Sequence, residues 1–395
     1  MAYSAILSVS LFLLIVFGIE RLCRGNGIPS VLVLVVGGLI AKPLLDSLGI
    51  QLAWTGKLVP IIGTIGLVLI VLEGALDIEL KKDRLPLISS TLFLATSGFV
   101  IGVIVFAVAL RLLLDCSVVQ AVLVATPFAV ISSAVAIPSS SFLSKSGREF
   151  VVYESSMSDI LGVLVFFSLI ASDGSVSGAL MSLLGGGFFS LLLSLLCAVA
   201  LMFILLHIDG HIRFVPLLAG LFALYAIGKL LHLSPLLMVL FLGLLLNKPE
   251  WVSHFPPLRN WVADDYPATL SEFKTLVVEL TFVVRGFFFV LLGYWADMSD
   301  LISPWAWLTA LVVLAVIYGS RFALLKLMST PVDSRLLLWI APRGLITVLL
   351  FLEAREQFEL PGYLSGSVIL VVLGSSALIL ATRKIQGKQP PVDAQ

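Results

Sequence analysis

The sequence predicts an all-α polytopic membrane protein of about 13 transmembrane helices, built as two inverted six-helix repeats with unwound helices. Three observations predict it. Apolar runs of about 17–25 residues recur from end to end. Two of those runs are interrupted by proline and serine at matching places, and seven charged residues fall inside runs that are otherwise apolar. Bulk composition agrees: hydrophobic residues fill 59% and charged residues 12% of 395 positions, with a mean hydropathy of +1.13. A soluble chain carries about 25% charge, so a soluble reading is excluded. With 24 basic against 24 acidic residues the net charge is +0, which removes the electrostatic basis for a nucleic-acid partner. Cys23, Cys116 and Cys197 lack the spacing of metal ligands and read as core fillers.

The first run, 3–21, has no charge before Glu20 and is followed by Arg21 and Arg24, so it reads as a spanning helix and not as a cleaved signal peptide with a basic start. Further spans are expected at 28–45, 58–78, 86–112, 118–143, 149–171, 177–206, 212–231, 234–247, 276–295, 304–328, 335–353 and 364–382. Between the ninth and tenth, residues 248–274 mix Trp251, Trp261, Asp264 and Asp265 over a length too polar to span, which suits an interfacial helix-loop. Residues 1–385 are expected to form a single transmembrane domain, with 386–395 a short cytoplasmic tail and no appended soluble domain.

Basic residues set the orientation. An outside N-terminus places sixteen flanking Lys and Arg in the cytoplasm, among them Arg21, Arg24, Lys81, Lys82, Lys145, Lys274 and Arg383, and leaves Lys42, Lys57, Arg111, Lys229 and Arg355 outside. An odd number of crossings, N-out and C-in, follows. The expected home is a prokaryotic inner membrane.

The interrupted runs are the fifth, with Thr126-Pro127, Ser132-Ser133 and Pro138-Ser139-Ser140, and the twelfth, with Ala341-Pro342-Arg343-Gly344. Pro127 and Pro342 are about 215 residues apart, the offset that also relates the sixth span to the thirteenth, while the first and eighth differ by about 209. Repeat one then covers about 3–171, a connector helix 177–206, and repeat two 212–382. An odd offset in helix number makes the second half enter from the opposite side. Broken helices at matching positions of inverted halves point to a midplane ion or substrate site, because unwound backbone and half-helix ends supply partial charges there. Proline and glycine that merely kink a helix are the bland alternative.

Glu73, Glu154, Asp159, Glu279, Arg285, Arg321 and Arg343 lie in the expected hydrocarbon zone. At about 2.5–3.5 kcal/mol each, they must be partnered or functional. In the sixth span Ser155 and Asp159 are four residues apart and share a helix face, whereas Glu154 points to a different neighbour. Asp159 therefore reads as a cation or proton site facing a water-filled cavity, and Glu154 as held by an arginine on another helix. Arg285 either offsets cavity acids or reaches Glu279 on a distorted helix. His207 and His211, flanking Asp209, suit either pH sensing or a solvated loop.

At these residues the sequence resembles the monovalent cation:proton antiporter superfamily, the sodium/proton exchangers with crossed, unwound helices. Val71-Leu-Glu73-Gly-Ala-Leu-Asp77 resembles the family's glutamate-glycine end of span three, and Glu154-Ser155 through Ser158-Asp159 its Glu-Ser…Asn-Asp motif. Ile131-Ser-Ser-Ala134, Phe287-Phe-Phe-Val-Leu-Leu-Gly293, Arg321 and Pro342-Arg343-Gly344 support it. The resemblance implies that Asp159 is the shared carboxylate for a monovalent metal cation and the proton, with Glu73, Ser155 and the backbone or hydroxyl near Thr126 as further ligands. It implies a Glu154–Arg321 pair bracing the core, Arg343 offsetting half-helix carbonyl ends at the crossing, and a homodimer. Ser158 replaces the asparagine or aspartate that distinguishes the family's branches, and Thr126-Pro127 lacks the aspartate of Thr-Asp-Pro. One ionisable group where the electrogenic branch has two makes electroneutral exchange the expectation.

The expected function is thus secondary antiport of Na+ or K+ against H+ by competition at a buried aspartate, serving pH homeostasis. The ions are substrates, no cofactor is expected, and lipid is the surrounding partner. A sodium-coupled symporter of an organic anion also uses broken helices, but needs basic groups for the anion. An intramembrane protease needs a second Asp in a Gly-x-Gly-Asp context or a mid-span His, and neither occurs; an enzyme is not expected.

Overall fold

The computed structural model describes residues 2–47, 58–77, 85–170, 214–231, 235–247, 266–328 and 334–386 apart from 27, 115 and 141, together with 178, 185, 192–197 and 200. Its elements are helical. In chain order they are α1 (Ala2–Asn26), α2 (Ser30–Ser47), α3 (Leu58–Asp77), α4 (Leu85–Leu113), α5 (Val118–Ala129), α6 (Ser133–Ser139), α7 (Lys145–Ile170), α8 (Phe214–Leu230), α9 (Pro235–Asn247), α10 (Tyr266–Trp295), α11 (Met298–Ile302), α12 (Pro304–Leu327), α13 (Ser334–Leu338), α14 (Leu345–Gln357) and α15 (Gly362–Gln386). Among the described residues, seven helices are long and apolar enough to cross a membrane, with shorter apolar helices at Ile61–Leu76, Phe214–Leu230 and Met238–Asn247. The connector expected at 177–206, the histidines at 207 and 211, and most of the loop expected at 248–274 lie outside the described residues.

Both interrupted runs are broken helices. α5 and α6 are separated by residues 130–132, and α13 and α14 by residues 339–344. The breaks do not fall on Pro127 or Pro138, which sit inside α5 and α6. They fall where the two segments meet, so the crossing, and not proline alone, fixes the unwound residues. Ser117 starts α5 with a reciprocal cap: its hydroxyl accepts from Gln120 N–H and its own N–H donates to the Gln120 side chain.

The helices pack as two bundles. α1, α2, α3, α8, α9 and α10 form one, and α4 to α7 with α12 to α15 the other. They meet where α3 and α9 lie on α7, where α14 lies against α3 and α10, and where α2 lies against α15, while the short α11 packs on α12 and α15 of the second bundle. The broken α5–α6 unit and α7 are the most enclosed spans, with 72% and 67% of their apolar windows buried. Outer faces are apolar in their place, as at Leu7, Leu11 and Leu14 of α1 and Trp305, Leu308 and Leu311 of α12, which suits contact with lipid.

Within the first bundle α2 and α10 approach backbone to backbone. A Cβ on Gly38 would collide with Val290 O and come within 2.8 Å of Tyr294 N, and one on Gly293 would strike Val35 O. Small residues that admit such approach are a usual basis of helix association in lipid, where apolar burial supplies no driving force. Gly38→Ala is expected to destabilise the detergent-solubilised protein by about 1–3 kcal/mol, while Gly37→Ala, with nothing within 4 Å, leaves stability within about 0.5 kcal/mol. A thermal melt of the two variants checks this.

Candidate functional site

The crossing is a direct backbone contact: Ser132 N–H donates to Pro342 O at 2.9 Å. Gly344 permits it, since a Cβ there would lie 2.6 Å from Ser132 Oγ and 2.8 Å from Val135 Cγ2. Four half-helix ends converge on this point, and unwound backbone buried in a membrane must be satisfied by protein.

Side chains satisfy it. Arg343, 3% exposed, donates from Nε to Phe128 O at 2.8 Å and from Nη2 to Ala129 O at 3.2 Å, the carbonyls that end α5, and from Nη1 to its own segment's Ala341 O at 3.3 Å. Its positive charge thus sits at the negative end of a half-helix. Its backbone N–H is taken by Ser375 Oγ of α15 at 2.9 Å. On the facing helix, Ser158 Oγ accepts from Ile131 N–H at 2.8 Å and Asp159 Oδ2 accepts from Ser133 N–H at 3.1 Å, where α6 begins. Adjacent residues of α7 therefore hold the unwound segment from one side.

Glu154 and Arg321 form the expected pair. The guanidinium of Arg321, on α12, grips both carboxylate oxygens of Glu154, and its Nε donates to Leu337 O at the end of α13 at 3.0 Å. The residues are 1% and 5% exposed, so the pair is bidentate and buried. It ties α7 to the second broken helix.

Among the described residues, no arginine forms an ion pair with Asp159. It is 6% exposed, and Oδ1 has no hydrogen-bond partner. The residue lines a cavity of about 370 Å³ bounded by α3, α7 and α9, with Ile70, Val71, Gly74, Ala75, Ser156, Ile160, Val163, Leu236 and Leu240 as the other walls. Thr126 Oγ1 and Ser155 Oγ each donate one turn back, to Val122 O at 2.8 Å and Val151 O at 2.7 Å, which leaves their lone pairs available as acceptors. Glu73 is half-buried on α3 beside Gly74. Asp77 ends α3, and its side chain lies outside the described ones.

The structure corrects the Arg285–Glu279 reading. Glu279 is exposed, and Arg285 instead reaches Glu20 on α1, Nη2 to Oε1 at 3.6 Å, and donates from Nη1 to Ala134 O of α6 at 3.1 Å. A regular helix puts residues six apart on opposite faces, so the partner had to come from another helix. Ser30 of α2 donates to the same Glu20 carboxylate at 3.1 Å. Glu20 had a readable signal, an acid at the buried end of an apolar run; Ser375 had none, because only the fold brings α15 to the crossing. Besides the Arg285–Ala134 bond, Lys229 of α8 pairs with Glu353 of α14 across the bundles at 3.3 Å, and Glu353 lines an open vestibule of about 1220 Å³ together with Thr64, Tyr225 and Glu356.

Two broken helices crossed back to back, with a buried carboxylate facing a cavity beside them, define a secondary transporter of the crossed-helix class. The comparisons agree with that class. The family model "Sodium/hydrogen exchanger, transmembrane" matches residues 8–382, and the chain belongs to that family, whose members are transporters and not enzymes. Its fold is similar to that of the sodium proton antiporter MjNhaP1 from Methanocaldococcus jannaschii, in a structure at pH 8, with a TM-score of 0.74 and 21% identity over 96% of this chain and 100% of that one. An electron-microscopy structure of the same antiporter gives 0.72 and 21% over 99% and 100%. No functionally curated protein matches it.

Arg321→Ala is expected to cost about 3–5 kcal/mol by leaving Glu154 buried and uncompensated, seen as loss of folded protein in fluorescence size-exclusion chromatography. The double variant Glu154→Leu/Arg321→Leu should recover part of that loss.

Proposed function

We propose that the chain is a sodium/proton antiporter in which Asp159 carries either a proton or one monovalent cation, Na+ first and K+ as the alternative, from one side of the membrane to the other. The observation that carries the reading is the free Oδ1 of Asp159: a buried carboxylate oxygen with no partner, facing a cavity. A buried polar atom left unsatisfied demands an explanation, and a hard cation that prefers oxygen ligands supplies one. Glu73, Thr126 and Ser155 stand as further oxygen donors, and Ser158, Pro127, Ser132, Ser133, Pro342, Arg343 and Gly344 hold the crossing that frames them.

Coupling follows from competition. Proton and cation each neutralise the same carboxylate, and an empty one carries the charge penalty across the apolar barrier. The two loaded forms have equal charge, so exchange at one aspartate is electroneutral. Because Arg321 is spent on Glu154 and Arg343 on carbonyls, and the described walls of the cavity include no basic side chain, an organic anion has no counter-charge beside Asp159. Movement of one bundle against the other gives alternating access, with the Arg285–Ala134 and Lys229–Glu353 contacts between bundles breaking and re-forming. The bias of basic residues supports an outside N-terminus, a cytoplasmic C-terminus and a bacterial inner membrane; a homodimer is the assembly the family reading favours.

In proteoliposomes loaded with a pH-sensitive dye, the wild type should dequench on adding Na+, and Asp159→Asn should abolish exchange with the melting temperature preserved. Full pH-dependent exchange by that variant refutes the assignment. Competition also fixes a sign: lowering the pH raises the apparent KM for Na+, approaching tenfold per pH unit once the proton holds the site. A potassium diffusion potential imposed with valinomycin should leave the Na+-driven rate unchanged; acceleration by either sign of potential would overturn electroneutrality.

A further inference from the structure

Asp159 Oδ1 is not the only orphaned oxygen in its cavity. Ser156 is 3% exposed, lines the same space, and its Oγ has no hydrogen-bond partner. Three residues before Asp159, it stands about 60° around the helix on one side, while Ser155, four residues before, stands about 40° around on the other. The two hydroxyls meet different fates. Ser155 Oγ is bonded back to Val151 O, the ordinary resting place of a serine in a helix. Ser156 is turned to the wall that α3 leaves open at Gly74, where even a Cβ on that glycine would stay 4.0 Å from Ser156 Oγ. A serine in the middle of an apolar helix that declines the carbonyl one turn back, in a cleft otherwise made by residues such as Ile70, Leu236 and Leu240, forgoes the easiest bond open to it.

Resting on the antiport reading above, we infer that Ser156 Oγ is a direct ligand of the transported cation, closing on the ion from the α3 side together with Asp159 Oδ1. Two oxygens on one helix, three residues apart and both without protein partners, form half of a small oxygen cage. Water completes it. The carboxylate serves proton and metal ion alike, whereas a neutral hydroxyl gains nothing from a protonated aspartate beyond one hydrogen bond. Ser156 therefore weights the competition toward the metal ion and sets which alkali ion fits.

The test uses the full-length chain in proteoliposomes with Na+, Li+ and K+ in turn, comparing wild type, Ser156→Ala, the near-isosteric Ser156→Cys and Ser155→Ala. Expected are a rise of about tenfold in the KM for Na+ in both Ser156 variants with kcat changing less, an altered Li+ to Na+ preference, and loss of most of the Na+-dependent rise in melting temperature, since a ligand stabilises only what binds it. Melting without Na+ should stay close to wild type, which separates a lost ligand from a damaged fold. Unchanged KM, preference and Na+-dependent melting in Ser156→Ala overturn the inference, as does a KM effect confined to Ser155→Ala. A wild type that exchanges no alkali cation for protons sinks the underlying antiport reading instead.

Discussion

Two strands of unwound backbone cross inside a membrane, and the rest of the core is arranged around making that tolerable. No water in a hydrocarbon layer can satisfy the peptide groups that a broken helix exposes. Here the debt is met internally: Ser132 N–H by Pro342 O, the end of α5 by the Arg343 guanidinium, the end of α13 by Arg321, and the N–H groups of Ile131 and Ser133 by Ser158 and Asp159. Arg321, Arg343 and Asp159 thus each have a backbone task as well as a charge.

The division of labour between the two carboxylates of α7 follows from the same constraint. Glu154 is gripped by Arg321 with both oxygens and has no capacity left for a mobile ion. Asp159 spends one oxygen on α6 and keeps the other. The buried charges described around the crossing, Glu154, Asp159, Arg321 and Arg343, are two of each sign, while the buried Glu20 meets Arg285 on α10. A carboxylate clasped by arginine would hold no ion; one left half-satisfied beside a cavity can.

Mobility has a structural address. Contacts within each bundle include backbone-close packing such as Gly38 against Gly293, which resists deformation, whereas the polar contacts between the bundles among the described residues include a 3.1 Å hydrogen bond from Arg285 to Ala134 O and a 3.3 Å ion pair of Lys229 with Glu353. Partly exposed pairs of this kind are worth about 0–1 kcal/mol. Rigid bundles joined by weak polar links and apolar faces are suited to rocking as bodies.

Much of this was written in the sequence. Hydropathy placed the helices, because a bilayer imposes one length on every span, and the paired Pro127 and Pro342 marked the broken ones, because a spacing shared by two halves survives folding unchanged. Helical angle separated Glu154 from Asp159 before any coordinates. What periodicity has no means to encode is which distant element arrives opposite a given face. Arg285 meets Glu20 and Ala134 across three helices, Ser375 comes to the backbone of Arg343, and of two neighbouring serines it is Ser156, not Ser155, that is left without a partner. The chain's own pattern determines where polar atoms enter the membrane; only tertiary packing decides which of them are satisfied, and the proposed ion site is drawn from those that are not.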